Sequence, residues 1–279
     1  MNKWVIFSDV DGTIYPFPNK ELSNEIINKT KELAEKNIPF VINTGNGPYE
    51  KIQRLANELS GRYIVCSNGA LIFDNLEKRI LNIEYMPLKE VEKVWQISDK
   101  LGIGLYYFGT HQYYLKDFSK ENTDFLTRFC EYDQWNTEGK INQDIHKIEV
   151  YGNRDEIERF YQEISKVDID LNVCNLKTHI EITKTGVSKA SGIKWLCDNV
   201  FNCNLEDVMA IGDSPNDISM LEAVGYSYVM DNADPETKKA AKYYTSDVRQ
   251  NGLAEAIDDY LYRSDYELKR MISQQKSKK

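Results

Sequence analysis

The chain has 279 residues and a mass of 32.4 kDa, enough for one large domain or two ordinary ones with a buried core. This length excludes a small disulfide-stapled scaffold, and the composition, 41% hydrophobic and 28% charged, excludes a disordered or collagen-like protein. The formal net charge of −9 repels polyanions, so nucleic acid is not an expected partner. No apolar run is long enough to cross a bilayer. The sequence therefore predicts a cytoplasmic protein that does not bind membranes.

Both ends of the chain alternate apolar runs with amphipathic helical patterns. Buried strands are predicted at 4–7, 38–42, 63–66, 208–211 and 227–230. Helical stripes begin at Leu22, Ile52, Ile193, Ile218 and Leu253. Alternation of this kind predicts parallel strands joined by right-handed crossovers, as in a Rossmann-like α/β core.

The middle of the chain has a different pattern and is rich in tyrosine. It is predicted to contain three helices and strands at 103–108, 112–115, 147–151, 169–174 and 179–183. Strands joined by a short turn must pair antiparallel, which differs from the flanking segments. The sequence therefore predicts a core of residues 1–83 and 187–272, an inserted α+β domain of residues 84–186, and a polar tail, 273–279.

An acidic loop, Asp9-Val10-Asp11-Gly12-Thr13, follows the first predicted strand. Ligands of open α/β sheets bind beyond the carboxyl ends of the strands, so this is a candidate site. Asp9 and Asp11 point the same way in an extended segment, and two adjacent carboxylates require a cation or a shared proton. Gly12 permits a tight backbone path. Taken alone, the motif is equally consistent with a solvated turn.

A second acidic cluster, Gly212-Asp213-Ser214-Pro215-Asn216-Asp217, also follows a buried strand and begins a helix. Carboxylates after two parallel strands could face one another. Hard oxygen ligands without histidine or cysteine select magnesium rather than zinc. Helix capping alone would also explain these residues.

Two smaller features follow later strands. Thr44 and Gly45 could hold phosphate oxygens through a hydroxyl and a backbone amide, although a turn followed by a cap has the same residues. Lys189 is predicted at a helix N-terminus, where its charge opposes the helix dipole and favours an anionic partner. A solvated surface lysine is the alternative.

Taken in chain order, these four motifs resemble the pattern of the haloacid dehalogenase (HAD) superfamily. Ser67-Asn68-Gly69-Ala70 is similar to its Cof-type, subfamily IIB branch, and the inserted region is similar to the type 2B cap of that branch. The resemblance covers essentially the whole chain. One difference is Asn46, because Cof-type members usually have arginine at this position.

The resemblance implies a magnesium-dependent phosphatase that forms an aspartyl-phosphate. Asp9 would be the nucleophile and Asp11 the general acid and base. Magnesium would be held by Asp9, the Asp11 carbonyl, Asp213 and Asp217. Phosphate would be bound by Thr44, Gly45, Lys189 and Asn216, and the rest of the substrate by Asn46, Asn68 and Gly69.

Phosphorylated sugars are the expected substrates, with pyridoxal phosphate and flavin mononucleotide as alternatives. Tyr106, Tyr107, Tyr113, Tyr114 and His111 are candidates for the surface that contacts the leaving group, although about half of them would lie in the core of the inserted domain. His146 and His179 are interpreted as ordinary strand residues.

Two other functions use the same motifs. A HAD-type phosphomutase would require several arginines in the inserted region to retain a bisphosphate, and few are present. A catalytically silent phosphometabolite-binding protein would not need the complete acidic set. A monomer or a simple homodimer is expected.

Overall fold

A computed structural model of the protein describes residues 4–137 and 144–277. The described strands are β1 (Ile6–Ser8), β2 (Phe40–Asn43), β3 (Tyr63–Cys66), β4 (Leu71–Asp74), β5 (Arg79–Ile83), β6 (Gly104–Phe108), β7 (Tyr113–Lys116), β8 (Lys147–Tyr151), β9 (Leu171–Asn175), β10 (His179–Lys184), β11 (Met209–Gly212), β12 (Tyr226–Val229) and β13 (Tyr243–Tyr244). The described α-helices are α1 (Asn24–Glu35), α2 (Glu50–Glu58), α3 (Leu88–Leu101), α4 (Lys120–Cys130), α5 (Arg154–Ile164), α6 (Lys189–Leu196), α7 (Ile218–Ala223), α8 (Pro235–Ala240) and α9 (Gly252–Ser277).

The chain forms two compact units. Among the described residues, the first unit contains those up to Ile42, Glu58–Gly61 and those from Lys194 onward. The second unit contains Asn43–Asn57 and Arg62–Ile193. The predicted insertion of residues 84–186 lies within the second unit, which also includes the segments that follow β2 and β3.

The first unit is built on parallel strands in the order β13-β12-β11-β1-β2. Each residue of β1 is buried, which suits a strand flanked by β11 and β2. Ser8 lies opposite Ile211, and the backbone N–H of Asp9 donates to the Ile211 carbonyl over 3.0 Å. The loops after β1 and β11 therefore begin side by side.

Helix α1 illustrates how the local sequence sets the elements of this unit. The Ser23 hydroxyl accepts a hydrogen bond from the Ile26 N–H over 3.2 Å and caps the helix, an interaction ordinarily worth about 1 kcal/mol. Ile26 and Leu33 are buried, as the predicted stripe requires. Helix α9 extends to Ser277 and thus into the predicted polar tail.

The second unit contains an antiparallel sheet in the order β7-β6-β8-β10-β9. One face packs on α3 and α5 through an apolar cluster that includes Ile148, Val150 and Ile180. On the other face, β6 and β7 pack on α4, whereas β8 and β10 carry buried charged residues. The alternation of side chains along each strand separates the two sets.

The predicted α/β fold class is confirmed, but one hairpin was missed. Strands β4 and β5 pair antiparallel with each other, and β4 pairs antiparallel with β3. One residue separates β4 from the turn at Ser67–Gly69, and the register of β4 with β5 shifts between Ile72 and Phe73, an irregularity that an alternating sequence pattern does not predict. Within residues 4–137 and 144–277, no helix combines the length and hydropathy needed to cross a membrane.

Candidate active site

The loop after β1 folds back on itself within six residues. The Gly12 N–H donates to the Tyr15 carbonyl over 2.9 Å, and the Ile14 N–H donates to the Val10 carbonyl over 2.9 Å. Gly12 has a φ of 92°, a conformation that favours glycine. Asp9 precedes this turn and is buried, with 6% of its surface exposed.

The loop after β11 is organised around Asp217. Its Oδ2 accepts hydrogen bonds from the N–H groups of Asp213 over 3.0 Å and Ser214 over 2.9 Å. The Ser214 hydroxyl donates to the Oδ1 of Asn216 over 2.7 Å. The predicted capping role is therefore real, because Ser214 and Asp217 form a capping box at the turn Pro215–Asp217.

The loop after β11 does more than cap the turn, because the carboxylates of Asp213 and Asp217 lie close to that of Asp9. Asp9, Asp213 and Asp217 each have a carboxylate oxygen within 4.8 Å of the others. A Cβ atom at Gly12 would lie only 2.3 Å from the Oδ2 of Asp213. Gly12 is therefore needed both for its backbone conformation and for the close approach of the two loops.

Two neutral side chains orient Asp213, and neither was assigned a role from the sequence. The Thr13 hydroxyl donates to Oδ1 over 3.3 Å, and the Asn232 amide donates to Oδ2 over 3.1 Å and to the Gly12 carbonyl over 2.9 Å. Asn232 in turn accepts from the Val248 N–H over 3.0 Å. The only sequence feature pointing to Asn232 was its position shortly after β12, which runs parallel to β11 and β1.

The carboxylate set fits magnesium. The three converging ligand groups are hard oxygens, which Mg²⁺ prefers over nitrogen and sulfur. Hydrogen bonds from Thr13 and Asn232 fix the orientation of the Asp213 carboxylate. Asp9, Asp213 and Asp217 could therefore hold the predicted ion. Asp11 lies in the same loop as Asp9.

The second unit brings together the predicted residues after β2 and β3. The Thr44 N–H donates to the Val65 carbonyl over 2.8 Å, and the Asn68 N–H donates to the Thr44 carbonyl over 3.1 Å. The Ser67 N–H donates to the Asn46 carbonyl over 2.9 Å. Thr44, Asn46 and Asn68 are all buried. Backbone hydrogen bonds thus link these two segments.

Asn46, at the position where arginine was expected, contacts Thr44. Its backbone N–H and its side-chain amide both donate to the Thr44 Oγ1, over 3.1 and 3.2 Å. A hydroxyl has two acceptor lone pairs and one donor hydrogen. With both lone pairs engaged, the Thr44 hydroxyl can make further hydrogen bonds only as a donor, as a phosphate oxygen requires.

Gly69 and Lys189 lie where the segment after β3 meets α6. Gly69 has a φ of 92°, and a Cβ atom there would lie 2.0 Å from the Ser188 carbonyl oxygen. Lys189 is completely buried, and its carbonyl accepts from the Asn43 amide over 3.2 Å. The alternative of a solvated surface lysine is therefore wrong.

The tyrosines proposed for the leaving-group surface are buried in cores. Tyr107 and Tyr114 lie in the apolar cluster on the α3 and α5 face, stacked with 5.3 Å between ring centroids. Tyr106 and Tyr113 lie in the cluster on the α4 face. The polar part of that face is formed instead by Lys147 and its neighbours on β8 and β10, which the sequence analysis did not single out.

Burial and neighbouring charges shift the pKa values of His146 and Lys147. Burial lowers the pKa of His146 to about 3, and the charge of Lys147 adds to this effect. The expectation that His146 is a strand residue is wrong, because His146 lies just before β8, and one of its ring nitrogens, Nε2, is 3.1 Å from the Ser67 hydroxyl. Burial alone would lower the pKa of Lys147, but the carboxylates of Glu149 and Glu181 raise it overall.

Comparison with known proteins agrees with these features. Residues 6–257 match a family model described as haloacid dehalogenase-like hydrolase. The chain is 26% identical to a phosphoglycolate phosphatase of Methanothermobacter thermautotrophicus, over 91% of this chain and 96% of that protein. It is also 26% identical to a Bacillus subtilis 5-amino-6-(5-phospho-D-ribitylamino)uracil phosphatase, over 91% of this chain and 94% of the relative.

A solved structure supports the fold. A HAD subclass IIB sugar phosphatase superposes with a TM-score of 0.82 at 20% identity, covering 92% of this chain and 98% of that protein. The acidic motifs, the fold and the match over 6–257 agree with one another, and the chain belongs to the haloacid dehalogenase-like hydrolase family.

Proposed function

We propose that the protein is a magnesium-dependent phosphatase that hydrolyses small phosphorylated metabolites, in particular sugar phosphates, through an aspartyl-phosphate. The observation that carries this proposal is the convergence of Asp9, Asp213 and Asp217 after two neighbouring parallel strands. The family match and the phosphatase relatives support it.

Asp9 acts as the nucleophile because an ionised carboxylate needs no base to activate it. One of its oxygens bonds to phosphorus in line with the departing alkoxide, whose bond to phosphorus breaks. Asp11, protonated at this stage, gives its proton to the alkoxide. It then takes a proton from the water that attacks the aspartyl-phosphate, releasing inorganic phosphate and restoring Asp9.

The remaining residues position the phosphoryl group and offset its charge. The resemblance assigns phosphoryl oxygens to Thr44, Gly45, Lys189 and Asn216. Asp9, Asp213, Asp217 and the Asp11 carbonyl would hold Mg²⁺, which when bound offsets charge between the nucleophile and the phosphate. Fixed donors and charges of this kind supply most of the catalysis in phosphoryl transfer.

The first experiment is to measure phosphate release from a panel of sugar phosphates, pyridoxal phosphate and flavin mononucleotide, with Mg²⁺ and with chelator. Asp9→Asn keeps the shape of the side chain but removes the nucleophile, and should lower turnover about 10³-fold or more. Asp265→Asn, on the exposed surface of α9, is the matched control and should retain activity.

Phosphate release that needs Mg²⁺ and is lost only in Asp9→Asn supports the proposal. Equal activity of Asp9→Asn and the unmodified protein would overturn the assignment of the nucleophile. If a folded protein releases no phosphate but moves phosphate between two positions of a sugar bisphosphate, the phosphomutase alternative is correct.

A further inference from the structure

A group of buried charges lies on the β8 and β10 half of the antiparallel sheet. We call Lys147, Glu149, Glu181 and Asn68 the Lys147 cluster. Glu149 and Glu181 are 6% and 4% exposed and lie directly opposite each other on paired strands. Like charges in this arrangement are destabilising, so their retention in a buried position needs an explanation.

Lys147 stabilises the two glutamates and uses all its donors in doing so. Its Nζ contacts the Oε1 of Glu149 over 2.6 Å, the Oε1 of Glu181 over 2.5 Å and the Gly45 carbonyl over 2.8 Å. An ammonium group has three N–H donors, so these contacts saturate it. One positive and two negative charges leave the cluster with a formal charge of −1.

Asn68 provides an independent sign that a ligand belongs here. Its side-chain amide donates to the Oε2 of Glu181 over 2.7 Å. Its Oδ1 is buried and accepts no hydrogen bond from any residue in the described part of the chain. A buried polar atom of this kind ordinarily has a partner, and for a carbonyl oxygen that partner must be a donor.

The cluster also touches the segment that is proposed to hold phosphate. Lys147 binds the Gly45 carbonyl, and a Cβ atom at Gly45 would lie 2.7 Å from the Oε1 of Glu181 and 3.2 Å from the Oδ1 of Asn68. The organic part of a phosphate ester held at Thr44 and Gly45 would therefore face these acceptors.

We infer that the Lys147 cluster selects leaving groups that donate hydrogen bonds through hydroxyl or amino groups and rejects those that carry a carboxylate or a second phosphate. This inference rests on the proposed phosphatase function and adds the chemical class of its substrate. It therefore favours polyol or amino sugar phosphates over phosphoglycolate, the substrate named for one of the relatives.

The distribution of donors and acceptors explains the selection. The Tyr151 hydroxyl donates to the Oε2 of Glu149 over 2.9 Å, so this donor is also engaged. His179 approaches the Oε1 of Glu181 only to 3.9 Å. A hydroxyl or ammonium group would find the Asn68 carbonyl and carboxylate lone pairs, whereas an anion would meet a net negative charge.

The test compares two substrates that differ in one terminal group. D-Glucitol 6-phosphate ends in a hydroxymethyl group and 6-phospho-D-gluconate in a carboxylate at the same carbon. Phosphate release is measured with Mg²⁺ at about pH 8, where histidine side chains are ordinarily neutral. We expect kcat/KM to be at least about tenfold higher for the polyol ester in the unmodified protein.

Glu181→Gln and, separately, Glu149→Gln remove one negative charge each while keeping the side-chain shape. Either change should reduce the preference for the polyol about tenfold, mainly by improving hydrolysis of the gluconate ester. Glu163→Gln is the matched control, because Glu163 also pairs with two lysines but lies on α5, on the other face of the sheet. It should leave the ratio unchanged.

Equal hydrolysis of both esters, or a preference for gluconate, would overturn this inference while leaving the phosphatase proposal intact. A preference for the polyol ester that neither glutamine variant alters would also overturn it. The absence of phosphate release from both esters and from p-nitrophenyl phosphate would instead contradict the proposed function itself.

Discussion

The two units each contain a group of buried or partly buried carboxylates, and different donors contact the two groups. In the first unit, Thr13, Asn232 and backbone N–H groups hold Asp213 and Asp217. In the second unit, the ammonium group of Lys147 lies between Glu149 and Glu181. The neutral donors orient the carboxylates of Asp213 and Asp217, whereas the lysine also cancels part of the charge of the two glutamates.

This difference indicates what each group can bind. The Asp9 group offers three converging hard oxygen ligands, the donor type that a divalent cation such as Mg²⁺ prefers. In the Lys147 cluster the three N–H donors of the lysine are already used. The atoms left to bind a ligand are acceptors, so the ligand must supply hydrogen-bond donors. Carboxylates therefore serve two purposes in this chain, as oxygen ligands for a cation after β1 and β11 and as hydrogen-bond acceptors around Lys147.

The largest expected effect comes from removing the internal cation. Lys147→Met leaves two buried glutamates facing each other, and loss of one partner of a buried ion pair typically costs about 3–5 kcal/mol of unfolding free energy. Urea denaturation at neutral pH measures this loss.

Two companion variants make the Lys147 prediction specific. Lys166→Met removes a lysine from the exposed pair with Glu163 and should change stability by less than about 1 kcal/mol. Adding Glu149→Gln and Glu181→Gln to Lys147→Met should recover much of the lost stability. If Lys147→Met is as stable as the unmodified protein, the lysine does not hold the glutamates together.

In the first unit, the informative change is Asp213→Asn. It removes one negative charge while keeping the side-chain shape, and we expect phosphate release to fall about 100-fold and to need more Mg²⁺. A Mg²⁺ titration of activity measures both effects. Asp247→Asn serves as the control, because Asp247 caps a short turn in the same unit and pairs with Arg249.

An unchanged Mg²⁺ response in Asp213→Asn would mean that Asp213 only begins the following turn. The comparison between the two carboxylate groups would then lose its first half, because the carboxylates after β1 and β11 would not form a cation site.

Acid should affect stability through His146, whose folded-state pKa is lowered to about 3 by burial. In the unfolded chain this imidazole binds a proton with the ordinary histidine pKa of about 6.5. The stability contributed by the neutral, buried imidazole is therefore lost as the pH falls below that value. Between about pH 7 and pH 5, this residue alone should cost about 2 kcal/mol.

Urea denaturation at the two pH values checks the His146 prediction. His146→Gln should weaken the pH dependence by that amount, whereas His111→Gln, at a more exposed position, should not. Equal slopes for the unmodified protein and His146→Gln would contradict the assignment of a buried, neutral imidazole.

Sequence patterns predicted the first unit well because its strands and loops obey short-range rules. Asp9 and Asp213 each follow a buried strand of a parallel sheet, and such strands bring their carboxyl ends together whatever the rest of the chain does. Asn232 was missed because a single asparagine after a strand is ordinary, and its role depends on a contact with Asp213 that is 19 residues distant.

The Lys147 cluster shows what a sequence pattern does not reveal. The alternation along β8 indicates that Lys147 and Glu149 share one face, but the pairing of Glu149 with Glu181 depends on the register between β8 and β10. The contact with Gly45 spans 102 residues. The tyrosines were more conspicuous, but they pack in apolar clusters on both faces of the sheet.

The smallest expected effect concerns Asn46, whose side chain provides one of two donors to the Thr44 hydroxyl. Asn46→Ala removes that hydrogen bond and leaves the backbone donor, so the hydroxyl loses part of its orientation. A neutral hydrogen bond contributes about 1 kcal/mol, which predicts a rise in KM of about fivefold with little change in kcat.

A double-mutant cycle with Thr44→Val tests whether Asn46 acts through Thr44. If it does, Asn46→Ala should have little further effect once the hydroxyl is absent, since the two changes remove one interaction. Fully additive effects would mean that Asn46 contacts the substrate independently. Asn57→Ala, which removes an amide partner of Asn75 elsewhere in the second unit, should leave KM unchanged in either background.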